Sequence, residues 1–239
     1  MDSKPDSPVF SYMRSLFTIL IVFAVSCLFF LFYFRRKSYK RGVLLTGLCD
    51  SGKTLAFSQL VHGKYVSTQT SMKANVGDYV VKNGSVRIID IPGHERLRDR
   101  FLDQYKTTAR GVIYMLDSAT VQKDVRDTAE YLYNILSECV TLNILSVLII
   151  CNKQDLDLSK TSTIIKTMLE KELNAVRLTK ASQLESVDPK GQKTKFLGSK
   201  GGDFQFSQLP CDVQFVEASI SPDRTNTEAI EMWLANICS

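Results

Sequence analysis

Gly42 to Thr54 reads "GVLLTGLCDSGKT", an apolar β-prone run followed by Gly47 to Thr54 in full agreement with the phosphate-loop pattern GxxxxGK[ST]. The spacing predicts a strand at Gly42 to Thr46, a glycine-rich turn, and a helix opening at Thr54 and running to His62. Glycine in the turn lets backbone N–H groups curl around phosphate oxygens, and the helix N-terminus adds a favourable dipole. Gly47, Cys49, Asp50, Ser51, Gly52, Lys53, Thr54 and Leu55 are therefore expected to contact a nucleotide. Lys53 is expected to reach the β- and γ-phosphates, and the Thr54 hydroxyl to ligate Mg²⁺.

Strands are expected downstream at Asp78 to Lys82, Val86 to Ile91, Val112 to Asp117, Leu145 to Cys151 and Val213 to Ala218. Between the first two stands "NG", Asn83 and Gly84, the strongest short-range signal for an antiparallel hairpin. Helical stretches at Leu97 to Tyr105, Val125 to Val140, Thr161 to Leu184 and Thr227 to Ile237 alternate with the remaining strands. Such alternation predicts an α/β fold, a mostly parallel sheet with one antiparallel hairpin and helices on both faces. The runs "GVIYMLD" and "ILSVLIICN" do not alternate, as strands buried on both faces do not. Trp233 is expected in the core. The stretch of about 186–210 is rich in Lys, Gly, Ser and Gln and reads as an irregular, exposed insertion.

Three further motifs follow in order. "DIPGHE", Asp90 to Glu95, begins where a strand ends. Asp90 suits Mg²⁺ held through a water, Gly93 can offer its N–H to a γ-phosphate, and His94 falls where a water-positioning, catalytic residue is expected. "NKQD" closes a buried strand: the Asp155 carboxylate can accept from guanine's ring N–H and exocyclic amine, a donor pair that adenine lacks. Lys153 is expected along the base face, with Asn152 tying this loop to the phosphate loop. "EAS" at Glu217 to Ser219 ends the last strand, where a backbone amide of Ala218 or Ser219 could meet the guanine carbonyl. In the polar loop "YVSTQTSMKA", Thr70 is the first choice for completing the Mg²⁺ shell, with Thr68 and Ser71 as rivals. The cofactors implied are GTP or GDP with Mg²⁺.

Upstream, residues 15–34 carry no charge over twenty positions, enough for a helix of about 30 Å, the thickness of a hydrocarbon core. A single transmembrane helix is expected there, without the small-residue cleavage site of a signal peptide. Arg35, Arg36, Lys37, Lys40 and Arg41 crowd its C-terminal side, so the positive-inside bias places residues 1–14 in a lumen and the domain of 42–239 in the cytosol, joined by a basic linker at 35–41. Much of the net charge of +5 lies in that linker, so no basic face for nucleic acid is expected. The six scattered cysteines suggest neither zinc nor a disulfide framework.

In sum and order, GLCDSGKT, the threonine loop, DIPGH, NKQD and EAS resemble the Ras-like small GTPases of the P-loop NTPase fold, and GLCDSGKT is closest to the Arf and Sar branch. The span together with "TQTS", "DIPGHERLR" and "FQFSQLP" resembles more narrowly the β-subunit family of the signal recognition particle receptor. That resemblance implies an endoplasmic reticulum anchor which, when GTP-bound, holds the receptor's α subunit through the latter's N-terminal domain. The alternative is an Arf- or Sar-type trafficking GTPase with a permanent anchor. His94 stands where the Arf branch has glutamine, and no obvious arginine finger is present, so unaided hydrolysis is expected to be slow.

Overall fold

The computed structural model describes residues 16–30, 42–68, 70–81, 84–187, 197–199, 202–221 and 225–238, and the chain divides into two units, Met1–Lys40 and Arg41–Ser239. In the first unit residues 16–30 form helix α1, apolar all round and exposed at every described position. Among the described residues no helix is long and apolar enough to cross a membrane. The expected span is longer than α1, and its residues 15 and 31–34 lie outside the described residues, as does the basic linker at 35–41.

The second unit is built on a six-stranded sheet of order β2-β3-β1-β4-β5-β6. Its strands are β1 (Gly42–Thr46), β2 (Asn75–Val81), β3 (Gly84–Asp90), β4 (Ala109–Asp117), β5 (Ser146–Asn152) and β6 (Asp212–Glu217). All neighbours are parallel except β2 and β3, which pair antiparallel with Val81 opposite Gly84. The expected hairpin is present, although Lys82 and Asn83 of its turn lie outside the described residues. A small antiparallel pair, β7 (Ser219–Ile220) and β8 (Thr225–Asn226), follows β6.

The uninterrupted apolar strands divide their side chains between two cores. Leu44, Val112, Tyr114, Val147 and Ile149 face a layer containing α3 (Glu95–Tyr105), α4 (Val125–Leu142) and α5 (Ser162–Val187). Val43, Leu45, Ile113, Met115, Leu148 and Ile150 face α2 (Lys53–His62) and α6 (Glu228–Cys238), where Trp233 is buried as expected. Alternate residues of each central strand thus enter opposite cores, because both faces carry helices.

Several bounds differ from expectation, β4 beginning at Ala109 and not at Val112, and two differences have a clear physical cause. Strand β2 begins at Asn75, three residues before the predicted Asp78, through the weak β-formers Asn75 and Gly77. Packing overrides propensity there: a Cβ at Gly77 would stand 2.5 Å from Val61 Cγ1 and 3.1 Å from Phe57 Cζ, so α2 can lie against this strand only over a glycine. The insertion at 186–210 is not simply an exposed loop. Helix α5 runs to Val187, and Leu197, Phe204, Phe206 and Leu209 join the core, with Phe206 edge-on to both Phe204 and Phe215. Burying each phenylalanine contributes about 2–3 kcal/mol.

Arg177 of α5 holds this segment. It is 2% exposed, and its guanidinium donates to Asn174 Oδ1 (2.9 Å), Ser199 O (3.1 Å) and Gly202 O. One fork of donors thus fastens the carbonyls of Ser199 and Gly202 to α5. Replacing Arg177 by Met removes this fork and is expected to cost about 1–3 kcal/mol of stability. Urea unfolding would show this as a lower midpoint with an unchanged slope; an unaltered midpoint would contradict this role.

Candidate functional site

The site gathers at the C-terminal ends of the parallel strands, where loops from β1, β3, β5 and β6 converge, the usual ligand position in open α/β sheets. After β1 the chain turns through positive φ at Gly47 (140°), Asp50 (58°) and Gly52 (92°) before α2 begins. Helix α2 has no side-chain N-cap, which leaves its first-turn N–H groups available to an anion. Ser51 Oγ donates to Leu48 O at 2.9 Å, and Lys53 Nζ reaches back to Leu48 O and to Ser51 Oγ at 3.2 Å. Burial lowers the Lys53 pKa, against the opposing pull of Asp90, so its ammonium sits in a poorly solvated position. Cys49 is exposed on the loop and Leu55 is partly covered in the first turn of α2.

Asp90, fully buried at the end of β3, accepts from Thr54 Oγ1 and Asn75 Nδ2 on Oδ2, both at 2.9 Å. Its other oxygen, Oδ1, is buried with no partner. Burial raises the carboxyl above its ordinary value, outweighing the bonds from Asn75 and Thr54 and the charge of Lys53. An unsatisfied carboxylate oxygen beside a threonine hydroxyl is a donor set suited to Mg²⁺, which takes one or two carboxylates and keeps waters. Among the three hydroxyls weighed for the switch loop, Ser71 stands 3.0 Å from Thr54 Oγ1, whereas Thr68 and Thr70 are exposed. Gly93 lies against the phosphate loop: a Cβ there would come within 2.7 Å of Lys53 Nζ and 2.8 Å of Cys49 N. His94 is exposed and caps α3, its Nδ1 accepting from Arg96 N at 3.3 Å.

The NKQD loop is tied to the 47–54 loop by Asn152, whose Nδ2 donates to Ser51 O (2.9 Å) and whose Oδ1 accepts from Ile220 N (3.2 Å). Asp155 Oδ1 accepts from Ser219 Oγ at 2.6 Å, so a side chain of β7 aims that carboxylate. The N–H of Ala218 is taken by Cys151 O at 3.0 Å, and its carbonyl accepts from Gln154 N. Lys153 sits at φ 65°, and its Nζ pairs with Asp117 Oδ2 at 2.7 Å.

Some participants were not expected from sequence. Asn75 and Asp117 hold expected residues in place, yet each meets its partner only through tertiary pairing. Asp117 was visible as the polar end of "GVIYMLD". A third contact chain runs behind the loop: Thr46 bonds the Tyr131 hydroxyl at 2.6 Å, and Arg98 stacks over that ring at 4.3 Å. It joins the start of the phosphate loop to α4 and α3. Burial pushes the Tyr131 phenol up to about 12, so it remains a neutral hydroxyl.

The sequence family described as "Signal recognition particle receptor beta subunit" matches residues 38–213. The signal recognition particle receptor subunit beta of Mus musculus is 42% identical over 234 residues, covering 94% of this chain and 87% of that protein. ADP-ribosylation factor-like protein 5A of Rattus norvegicus is 34% identical over 122 residues, 51% of this chain and 65% of its own. Among solved structures, the mammalian SRP receptor superposes with a TM-score of 0.74 at 43% identity, covering 82% of this chain and 100% of that chain. The GDP complex of the Chaetomium thermophilum receptor subunit SRb gives a TM-score of 0.63 at 25% identity, covering 82% and 96%.

Asp90 offers a direct test of the metal-holding set. Its raised pKa means the folded protein binds that proton more tightly than the unfolded chain. The resulting stability is fully present below about pH 4 and is lost as pH rises through the folded value. At neutral pH, Asp90→Asn is therefore expected to raise the melting temperature of nucleotide-free protein while removing the additional rise that Mg²⁺ gives over nucleotide alone. Calorimetry at pH 7, with and without Mg²⁺ and GDP, checks both; a variant that melts lower and still responds to Mg²⁺ would contradict the assignment.

Proposed function

Because the chain belongs to the signal recognition particle receptor beta subunit family, GTPases related to the ADP-ribosylation factor-like proteins, we propose that it is a guanine-nucleotide switch of the endoplasmic reticulum membrane that holds the receptor's alpha subunit while GTP is bound. The observation that carries this reading is the bond from Asn152 to Ser51, which joins a base-reading loop to a phosphate-binding loop as one unit. The solved SRb relative holds GDP, in keeping with that reading.

In this proposal the phosphates lie against the N–H groups from Cys49 to Leu55, and Lys53 gives up its bond to Leu48 O for phosphate oxygens. Thr54 and Asp90 hold Mg²⁺, which neutralises phosphate charge. Ser71 is the better candidate than Thr70 for the switch-loop hydroxyl, since it already reaches Thr54. Asp155 accepts both donors of guanine, and Ser219 Oγ keeps its carboxylate aimed. The lone pair of His94 that would accept a water's proton is engaged with Arg96 N, which suits a protein whose output is a docked partner and whose own hydrolysis is slow. Gly93 and Ser71 sit on the two segments that a γ-phosphate would order, and an ordered pair of segments is a surface that a partner can select.

The membrane tether rests on the uncharged stretch 15–34, the basic cluster after it, and the all-round apolar character of α1. In this proposal the N-terminus lies in the lumen and the domain of 42–239 in the cytosol. A permanent anchor would remove the membrane on-off cycle on which an Arf-type coat-recruiting GTPase depends, so the trafficking alternative is less well supported.

Detergent-solubilised full-length protein is expected to bind GTP and GDP at least about a thousandfold more tightly than ATP, because a carboxylate placed to pair two donors rejects a base lacking them. Asp155→Asn should shift the preference toward xanthine nucleotides. Affinity capture with GTP, GDP or no nucleotide should retain a receptor alpha subunit only with GTP. Equal affinity for ATP would remove the base assignment, and capture independent of nucleotide would remove the switch.

A further inference from the structure

Asp117 ends β4 directly opposite Asn152 of β5, and its two carboxylate oxygens have separate duties. Oδ1 accepts from the backbone N–H groups of Ala119 (2.8 Å) and Thr120 (3.4 Å), closing the turn after β4. Oδ2 takes the ammonium of Lys153 at 2.7 Å, and the Asp117 side chain is only 11% exposed against 31% for Lys153. Lys153 itself stands in the left-handed region at φ 65°, where a lysine is rarely found. A long side chain on a strained backbone would ordinarily sample many rotamers, and fixing it on ligand arrival costs conformational entropy.

We infer that Asp117 is a positioning residue for the guanine base, acting through Lys153, whose side chain it holds in place before the nucleotide arrives. This inference rests on the guanine-nucleotide reading above. The flanking contacts support a preset platform: Ser118 N donates to Asn152 O at 3.0 Å, and Gln154 Nε2 donates to Ser118 Oγ at 2.9 Å, so the turn after β4 and the NKQD loop are bonded on both sides of the ion pair. Lys153 meets the face of the ring system and not the donor edge read by Asp155. Asp117 therefore affects every nucleotide that carries the same fused ring, whether or not the exocyclic amine is present. This is a preorganisation effect, and its loss appears mainly as faster dissociation.

Asp117→Asn separates the two duties, since it keeps an acceptor oxygen for the turn and removes the charge that holds the ammonium. Dissociation of methylanthraniloyl-labelled GDP and of the matching inosine diphosphate is measured on full-length protein in detergent, alongside the melting temperature without nucleotide. Both nucleotides are expected to leave about five- to tenfold faster from D117N, by the same factor, with a melting temperature close to that of the parent. In a Lys153→Met background, which keeps the aliphatic stem and loses the ammonium, D117N should add nothing. Lys153→Met alone should show the same acceleration, which keeps the inference testable if D117N fails to fold. Unchanged rates, or an effect of D117N that persists in full in the Lys153→Met background, would overturn it. GDP binding by the parent with no change in D117N defeats only this inference, whereas a parent that binds no GDP defeats the guanine reading itself.

Discussion

The side-chain amide of Asn152 is where the separate loops of this domain become one site. It is 1% exposed, donates to Ser51 O and accepts from Ile220 N, while the backbone carbonyl of the same residue accepts from Ser118 N. Turns that follow β1, β4, β5 and β6 thus meet at one residue. Removing the amide would leave a buried donor and a buried acceptor unpaired, at about 1–3 kcal/mol each, which gives the arrangement its definition. It also accounts for a glycine: the space that a Cβ at Gly52 would need is already filled by Asn152 Nδ2, and the Cβ of Gly47 would meet Met115 O. These glycines are required by the protein's own packing as well as by the approach of a phosphate.

The legible features were those with a local signature. The strand–turn–helix around Lys53, the antiparallel pair ending at Val81 and Gly84, and the two-sided burial of β4 and β5 each follow from residues a few positions apart. Burial of Phe204, Phe206 and Leu209 was hidden because their alternation is too short to mark an element, and their anchor, Arg177, lies 27 positions before Phe204 on a helix that itself gave no sign of the contact. Likewise, nothing local distinguishes Ser71 from Thr70, since a loop carries no periodicity to say which hydroxyl turns inward. His94 was marked by its place after Gly93, where a water-positioning residue is expected. Its N-cap contact was not anticipated, because histidine is not among the preferred capping types.

Asn75 and Asp117 illustrate a second limit. Each is a polar residue at a strand end, a position that reads equally well as a solvated terminus. Their partners, Asp90 and Lys153, are 15 and 36 positions away and are reached only because the sheet sets β2 beside β3 and β4 beside β5. The residues that would touch a ligand carry motifs, whereas the residues that hold them carry only topology.

The charges beside the 47–54 loop would favour a phosphate ligand. Lys53 and Asp90 are buried opposite charges, yet in the structure each is satisfied mainly by neutral groups: Leu48 O and Ser51 Oγ for one, Thr54 and Asn75 for the other. Burial lowers the pKa of the first and raises that of the second, so both ionised forms are held at a cost. Anions and cations arriving together relieve both costs at once, and a ligand that does so stabilises the fold by mass action. Gly93 closes the argument. It packs so near Lys53 Nζ and the Cys49 backbone that a redirected ammonium must be accommodated at the start of α3. Charge compensation by a bound phosphate and cation would thus reach the segment leading into α3, with no need for a bond-breaking step to be fast.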